Sequence, residues 1–144
     1  MNLETRKPGR ELGNAELADR IIGAAIRVHS ELGPGFLESI YEEALAVELR
    51  LLGIQFERQK PVRIFYRAQA IGEHRLDLLI EGCVVVELKA MIALEKIHFA
   101  ILRSYLKALG LSDALLFNFA ATRLTIKRVG REYHTRQIEE DISF

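Results

Sequence analysis

Apolar residues recur at helical spacing over two stretches in the first third of the chain. Leu17, Ile21, Ala24, Ala25, Val28 and Leu32 lie on one stripe, with Asn14 placed to cap that helix and Gly33 to end it in left-handed geometry. After a tight Gly33-Pro34-Gly35 connector, a second helix is predicted over residues 37–52. It carries Leu37, Ile40, Tyr41, Ala44, Leu45 and Leu52 inward and stops at Gly53. Shorter apolar runs then read as strands: 54–57 and 62–67, separated by Pro61, and 75–80 and 84–89 around a Glu81-Gly82 hairpin signal. Residues 69–73 read as a turn. A third helix carries Leu94, Ile97, Ile101, Leu102, Tyr105 and Leu109 up to Gly110, and strands at 114–119 and 124–129 follow. The order α-α-β-β-β-β-α-β-β predicts an α/β fold, a mixed sheet flanked by helices. Residues 1–14 and 131–144 read as polar tails around a single domain at 15–130.

Composition narrows the partners. The 144 residues carry 20 Lys+Arg against 20 Asp+Glu, a formal charge of zero. This excludes a polybasic coat that holds nucleic acid by bulk electrostatics, but leaves a local site open. Cys83 is the one cysteine, so neither an intramolecular disulfide nor a cysteine-based zinc cluster forms. His29, His74, His98 and His134 lack HxxxH or HExxH spacing, which argues against a zinc hydrolase. No apolar run reaches the length of a membrane span and the N-terminal stretch has no signal-like core, so a cytoplasmic protein is expected.

The chemistry concentrates in RLDLLIEGCVVVELKA, residues 75–90. Both strands are apolar on two faces, as central strands covered by helices are, yet Asp77, Glu87 and Lys89 interrupt them. Glu87 and Lys89 are two apart and leave the same face. A two-residue turn at Glu81-Gly82 would pair Asp77 with Val86, opposite in face to Glu87. A three-residue loop with Gly82 left-handed and bulged would pair Leu79 with Cys83 and Asp77 with Val85, bringing Glu87 diagonally onto Asp77's face. The bulged form is predicted, because the other strands a carboxylate in an apolar layer. Buried charges on one face are expensive unless compensated. An ion-pair cluster with Lys89 would compensate them. So would a divalent metal held by Asp77, Glu87 and the Leu88 carbonyl, with Lys89 orienting or deprotonating the attacking water.

A second signal is GFLESIY, residues 35–41, where Glu38 and Tyr41 share a helix face. With ERQ at 57–59, Arg75 and Asp77, ELK at 87–89, YLK at 105–107, NF at 118–119 and KRV at 127–129, these segments resemble the GxxExxY family. That family is a branch of the PD-(D/E)XK nuclease-like superfamily, and the resemblance spans roughly residues 16–130. It implies an αβββαβ core and a metal-dependent phosphodiesterase site. By position, Asp77 and Glu87 would be metal ligands, Lys89 the catalytic lysine and Glu38 an extra helix carboxylate. Tyr41, Arg75 and Tyr105 would contact substrate. Related sequences often carry Gln four residues before Tyr105, where this chain has Ile101.

Two functions follow as expectations. The first is a Mg²⁺-dependent nuclease, with Mn²⁺ able to substitute, hydrolysing DNA or RNA. The second, motivated by Ile101, is a nuclease-fold module that binds nucleic acid or a protein partner without cutting. The small size leaves open a homodimer or a larger complex. His98 reads as a hydrogen-bonded helix residue, and His74 with Arg75 as a phosphate contact or a solvated pair. Arg63, Tyr66 and Arg67 read as a basic-aromatic surface or one wet strand face.

Overall fold

The structure, a computed structural model, describes residues 11–131. Helices α1 (Glu11–Leu32) and α2 (Glu38–Leu51) are followed by strands β1 (Phe56–Tyr66), β2 (Gln69–Ile80) and β3 (Val84–Lys89). Helix α3 (Lys96–Leu109) then leads to β4 (Asp113–Asn118) and β5 (Thr125–Gly130). The five strands form one mixed sheet in the order β1-β2-β3-β4-β5. Only β3 and β4 run parallel, joined by α3 as the crossover helix that parallel neighbours require. The α/β expectation holds, with the four strands predicted before α3 merged into three.

Each face of the sheet has its own core. On one, Ile21, Ala24 and Val28 of α1 and Tyr41, Leu45 and Leu49 of α2 pack on Leu78, Ile80, Val84, Val86 and Leu88. On the other, Phe99, Leu102, Tyr105 and Leu106 of α3 cover Leu79, Val85, Ala114 and Leu116. Burial on both faces explains why β3 reads as an almost unbroken apolar run.

Several local expectations are corrected. Helix α1 begins at Glu11 rather than at an Asn14 cap, and the Asn14 amide donates to Asp113 Oδ2 at 2.8 Å. Of the predicted tails, residues 1–10 and 132–144 lie outside the described residues. Pro61 does not divide two strands: β1 runs through it, paired with Arg75. As β1 is an edge strand, proline's missing N–H costs no ladder bond there. Residues 69–73 lie within β2, and the reversal is made by Arg67 and Ala68, both left-handed at φ 48° and 66°. Gly72 sits beside a register shift in the ladder.

Helix faces also differ from expectation. Tyr41 and Leu45 are buried as expected, but Leu37 and Ile40 are exposed. On α3 the buried line is Phe99, Leu102, Tyr105 and Leu106, while Ile97 and Ile101 face outward. His98 Nδ1 accepts the Glu95 amide at 2.8 Å, so this histidine ties down the start of α3. Gly110 ends the helix with φ 71°, the left-handed cap that glycine adopts without strain.

Candidate active site

The β2–β3 hairpin turns at Glu81 and Gly82, both left-handed (φ 53° and 69°), closed by the Cys83 amide donating to the Ile80 carbonyl at 3.0 Å. Cys83 is then an extra residue, so Ile80 pairs with Val84, Leu79 with Val85 and Leu78 with Val86. This register differs by two residues from the one predicted from the sequence. Parity is unchanged, so the carboxylates still meet, directly across from one another rather than diagonally. The Glu81 carboxylate accepts the Gln55 amide at 2.9 Å and the Glu81 amide donates to the Gln55 carbonyl at 2.9 Å, holding the three-residue loop in its shifted position.

One step beyond Leu78 and Val86, side chains replace backbone in the ladder. The Asp77 amide donates to Glu87 Oε2 at 3.1 Å, and the Leu88 amide donates to Asp77 Oδ2 at 2.8 Å. Each carboxylate thus accepts an amide from the neighbouring strand, which fixes its orientation.

The same point is where the outer hairpin changes faces. Leu76 packs in the α3-side core and Leu78 in the α2-side core, although residues two apart in a regular strand share a face. Likewise Val62 lies on the α3 side while Phe56 packs against the α2-side core. Pairing keeps its register through the change, from Arg58↔Leu78 to Lys60↔Leu76, so Gln59 and Asp77 mark the crossing on their two strands. Gln59 is left-handed at φ 52°, a conformation costing a non-glycine residue about 1–2 kcal/mol.

What holds Gln59 is a buried carboxylate. Glu42 on α2 accepts from Gln59 Nε2 and from Arg58 Nε, both at 3.0 Å, and Arg58 Nη2 reaches Glu43 Oε2 at 2.7 Å. Arg75 Nη1 donates to the Gln59 carbonyl at 3.1 Å. In the sequence, ERQ at 57–59 stands out only as part of the family resemblance, and nothing there marks a role for Glu42, Arg58 or Gln59. An arginine and a carboxylate at no fixed spacing carry no signal of their own.

Burial and proximity raise both acids. Glu87 is pushed up to about 8, first by burial and then by the charge of Asp77, with the Asp77 amide and Lys89 opposing. Asp77 is raised mainly by burial, with Glu42 and Glu38 adding, while the Leu88 amide and Lys89 pull it down. Two adjacent carboxyls cannot both ionise cheaply, so the pair favours keeping one proton at neutral pH.

The remaining sequence candidates divide. Lys89 leaves the same strand face as Glu87 and acts on both acids. Glu38, exposed at the start of α2, accepts the Ala90 amide at 3.2 Å just past Lys89, and its charge reaches Asp77. Tyr105 projects from α3 toward the pair. Its hydroxyl pKa is raised by burial and then by Glu87 and Asp77, and its ring lies 5.2 Å from that of His74. Tyr41 departs from the substrate-contact expectation, being fully buried. Its hydroxyl donates to the Gly33 carbonyl at 2.6 Å and accepts the Phe36 amide at 3.2 Å, and its ring stacks 4.4 Å from Phe119. It fixes the Gly33-Pro34-Gly35 connector that positions Glu38.

Asn118, buried at the end of β4 beside Lys89, is a further supporting residue. Its amide donates to the Met91 carbonyl at 2.9 Å and accepts the Met91 amide at 3.1 Å, so the chain leaving Lys89 is clamped to the sheet.

Among the described residues, no group of three or more histidine, cysteine or acidic side chains is placed to hold a metal ion. The donor set is narrower: two carboxylates with the Leu88 carbonyl following Glu87. Hard oxygen donors, few in number, suit a cation that keeps most of its waters. Among the described residues, the Lys89 charge lowers both acids without returning them to their ordinary range, and a dication would add countercharge.

A sheet that splits where Asp77 faces Glu87-x-Lys89, with helices on both sides, defines a nuclease-like α/β class. Residues 15–129 match the family model of the PD-(D/E)XK nuclease superfamily, and the chain belongs to that superfamily. No curated protein matches the sequence. Among solved structures, the fold is similar to that of SSO0001, with a TM-score of 0.53 and 17% identity over 73% of this chain. The chain spans 57% of the length of that protein. No helix among the described residues is long and apolar enough to cross a membrane.

Proposed function

We propose that the protein is a Mg²⁺-dependent nuclease, with Mn²⁺ able to substitute, that hydrolyses phosphodiester bonds of DNA or RNA. The observation that carries this reading is the Asp77–Glu87 pair, with Glu87 buried and Asp77 half-buried, amide-oriented and charge-frustrated beside Lys89. Asp77, Glu87 and the Leu88 carbonyl would hold the cation, which when bound acidifies water and offsets phosphate charge. Lys89 orients the attacking water, relieves it of a proton when neutral and, when charged, faces the phosphate. Glu38 fixes the strand end that carries Lys89, through the Ala90 amide. Tyr105, which feels the charge of both acids, and Arg75, two residues before Asp77, are assigned to the substrate.

Ile101, half-exposed one turn before Tyr105, supports a second reading. In that reading the fold binds nucleic acid or a protein partner without cutting, because an amide that related sequences often carry is missing.

Calorimetric titration with Mn²⁺ and cleavage assays on single- and double-stranded DNA and RNA separate the two. The nuclease reading expects millimolar or tighter Mn²⁺ uptake, and cleavage lost in Glu87→Ala and Lys89→Ala at unchanged fold. Full cleavage by Glu87→Ala would sink it. Binding without cleavage by the native chain would leave the second.

A further inference from the structure

Helix α2 is apolar on two sides. One side carries Tyr41, Leu45 and Leu49 into the core. The other presents Leu37 (75% exposed), Ile40 (43%), Val47 (48%) and Leu51 (76%) to solvent, with half-buried Ala44 among them. Counted from the N-cap Leu37 to Leu51 at the end of the helix, their spacing alternates three and four residues, which is the a/d pattern of a helix seam. Charges border the stripe on both sides. Glu48 meets Arg27 of α1 at 3.5 Å on one, and on the other Glu43 meets Arg58 while Arg50 lies 5.5 Å over the Phe56 ring. An apolar band rimmed by charge and left open along a full helix marks an association surface.

We infer that α2 forms an antiparallel, two-fold contact with α2 of a second copy of this chain. The bordering charges select both the occupant and the direction. With Leu37, Ala44 and Leu51 at a and Ile40 and Val47 at d, Glu43 and Arg50 fall at g and Glu48 at e. A parallel pair would set Glu43 beside Glu48 of the second copy, like charge on like charge. The antiparallel pair stacks Ala44 on Val47 and Leu51 on Ile40 across the axis. It sets Glu43 beside Arg50 of the second copy, twice by symmetry. A self-complementary surface of this kind needs no other partner. A single helix pair lies at the small end of specific interfaces, so dissociation is expected at roughly 1–100 µM.

Sedimentation equilibrium of the full chain tests the contact. The native protein is expected to dimerise, and Val47→Glu and Leu51→Lys to weaken the dimer ~tenfold or more at unchanged melting temperature. Glu43→Arg and Arg50→Glu are each expected to weaken it and the double variant to restore it. A native chain that stays monomeric to ~500 µM overturns the inference. So does a dimer that Val47→Glu and Leu51→Lys leave intact, which would place the contact on another surface. A double variant no better than the singles overturns the antiparallel register. None of these readouts depends on cleavage.

Discussion

Gln59 and Asp77 stand across from one another at the point where β1 and β2 both change faces. Glu42 holds the first of them and Leu88 the second. This crossing lets one strand place Leu76 against α3, Leu78 against α2 and a carboxylate between the two layers. In a regular strand Asp77 would belong to one layer or the other.

That geometry predicts a graded response at Gln59. Gln59→Gly relieves a left-handed φ but loses the Glu42 bond, two effects of about 1 kcal/mol each, so the denaturant midpoint should hardly move. Gln59→Val forces a β-branched residue into the same conformation and should cost ~1–3 kcal/mol. Its Mn²⁺ affinity should fall as well, because Asp77 loses its placement. Equal stability of the two variants would refute the crossing as a constraint.

A pH dependence follows from Glu87. Its folded pKa of about 8 lies above the ordinary 4.5, so the folded state binds its proton more tightly than the unfolded chain does. Stability without metal is therefore greatest at and below about pH 4.5 as far as this group is concerned. It falls as pH rises to about 8, by at most ~1.4 kcal/mol per unit. Glu87→Gln should flatten that slope and be the more stable protein at pH 8. Saturating Mn²⁺ should reverse the slope in the native chain, since the cation takes the deprotonated pair. Thermal melts across pH, with and without Mn²⁺, measure both.

Tyr41→Phe tests the structural assignment of that tyrosine. Stacking on Phe119 survives, while the Gly33 carbonyl and the Phe36 amide lose a partner. A loss of about 1–2 kcal/mol is expected, with substrate KM unchanged. A shift in KM at constant stability would return Tyr41 to the substrate site.

Asn118→Ala removes both bonds to Met91. The expected cost is ~1–3 kcal/mol. Cleavage should slow while Mn²⁺ uptake persists, because the clamp acts on the segment after Lys89 and not on the carboxylates. Steady-state kinetics beside calorimetry will separate the two effects.

Ile101→Gln exchanges one exposed side chain for another on α3, so stability should change by no more than about 0.5 kcal/mol. If the amide is what this chain lacks, cleavage rises in the variant. A nuclease already fully competent would show no gain.

Much of the architecture was legible because it rests on strong local signals. Gly33 and Gly110 end their helices where expected, and Asp77, Glu87 and Lys89 stand out because charge is rare in strands buried on both faces. The two carboxylates fall on one face by parity alone, which a one-residue shift of the loop leaves unchanged. What could not be read depends on neighbours. Pro61 is tolerated only because β1 is an edge, and the Arg67-Ala68 turn carries neither glycine, asparagine nor aspartate. On α2 and α3 periodicity reveals apolar stripes but not which of two stripes meets the sheet, so Leu37, Ile40, Ile97 and Ile101 were turned inward. The strain at Gln59 is invisible without Glu42 beside it.

Pro61 has one more consequence. An edge strand eleven residues long would ordinarily be a template for another chain. Here the proline withholds a donor from its middle, and Glu57, Arg58, Lys60 and Arg63 crowd charge along it. A second molecule cannot extend this sheet cheaply, so fibrillar stacking is discouraged at the border most open to it.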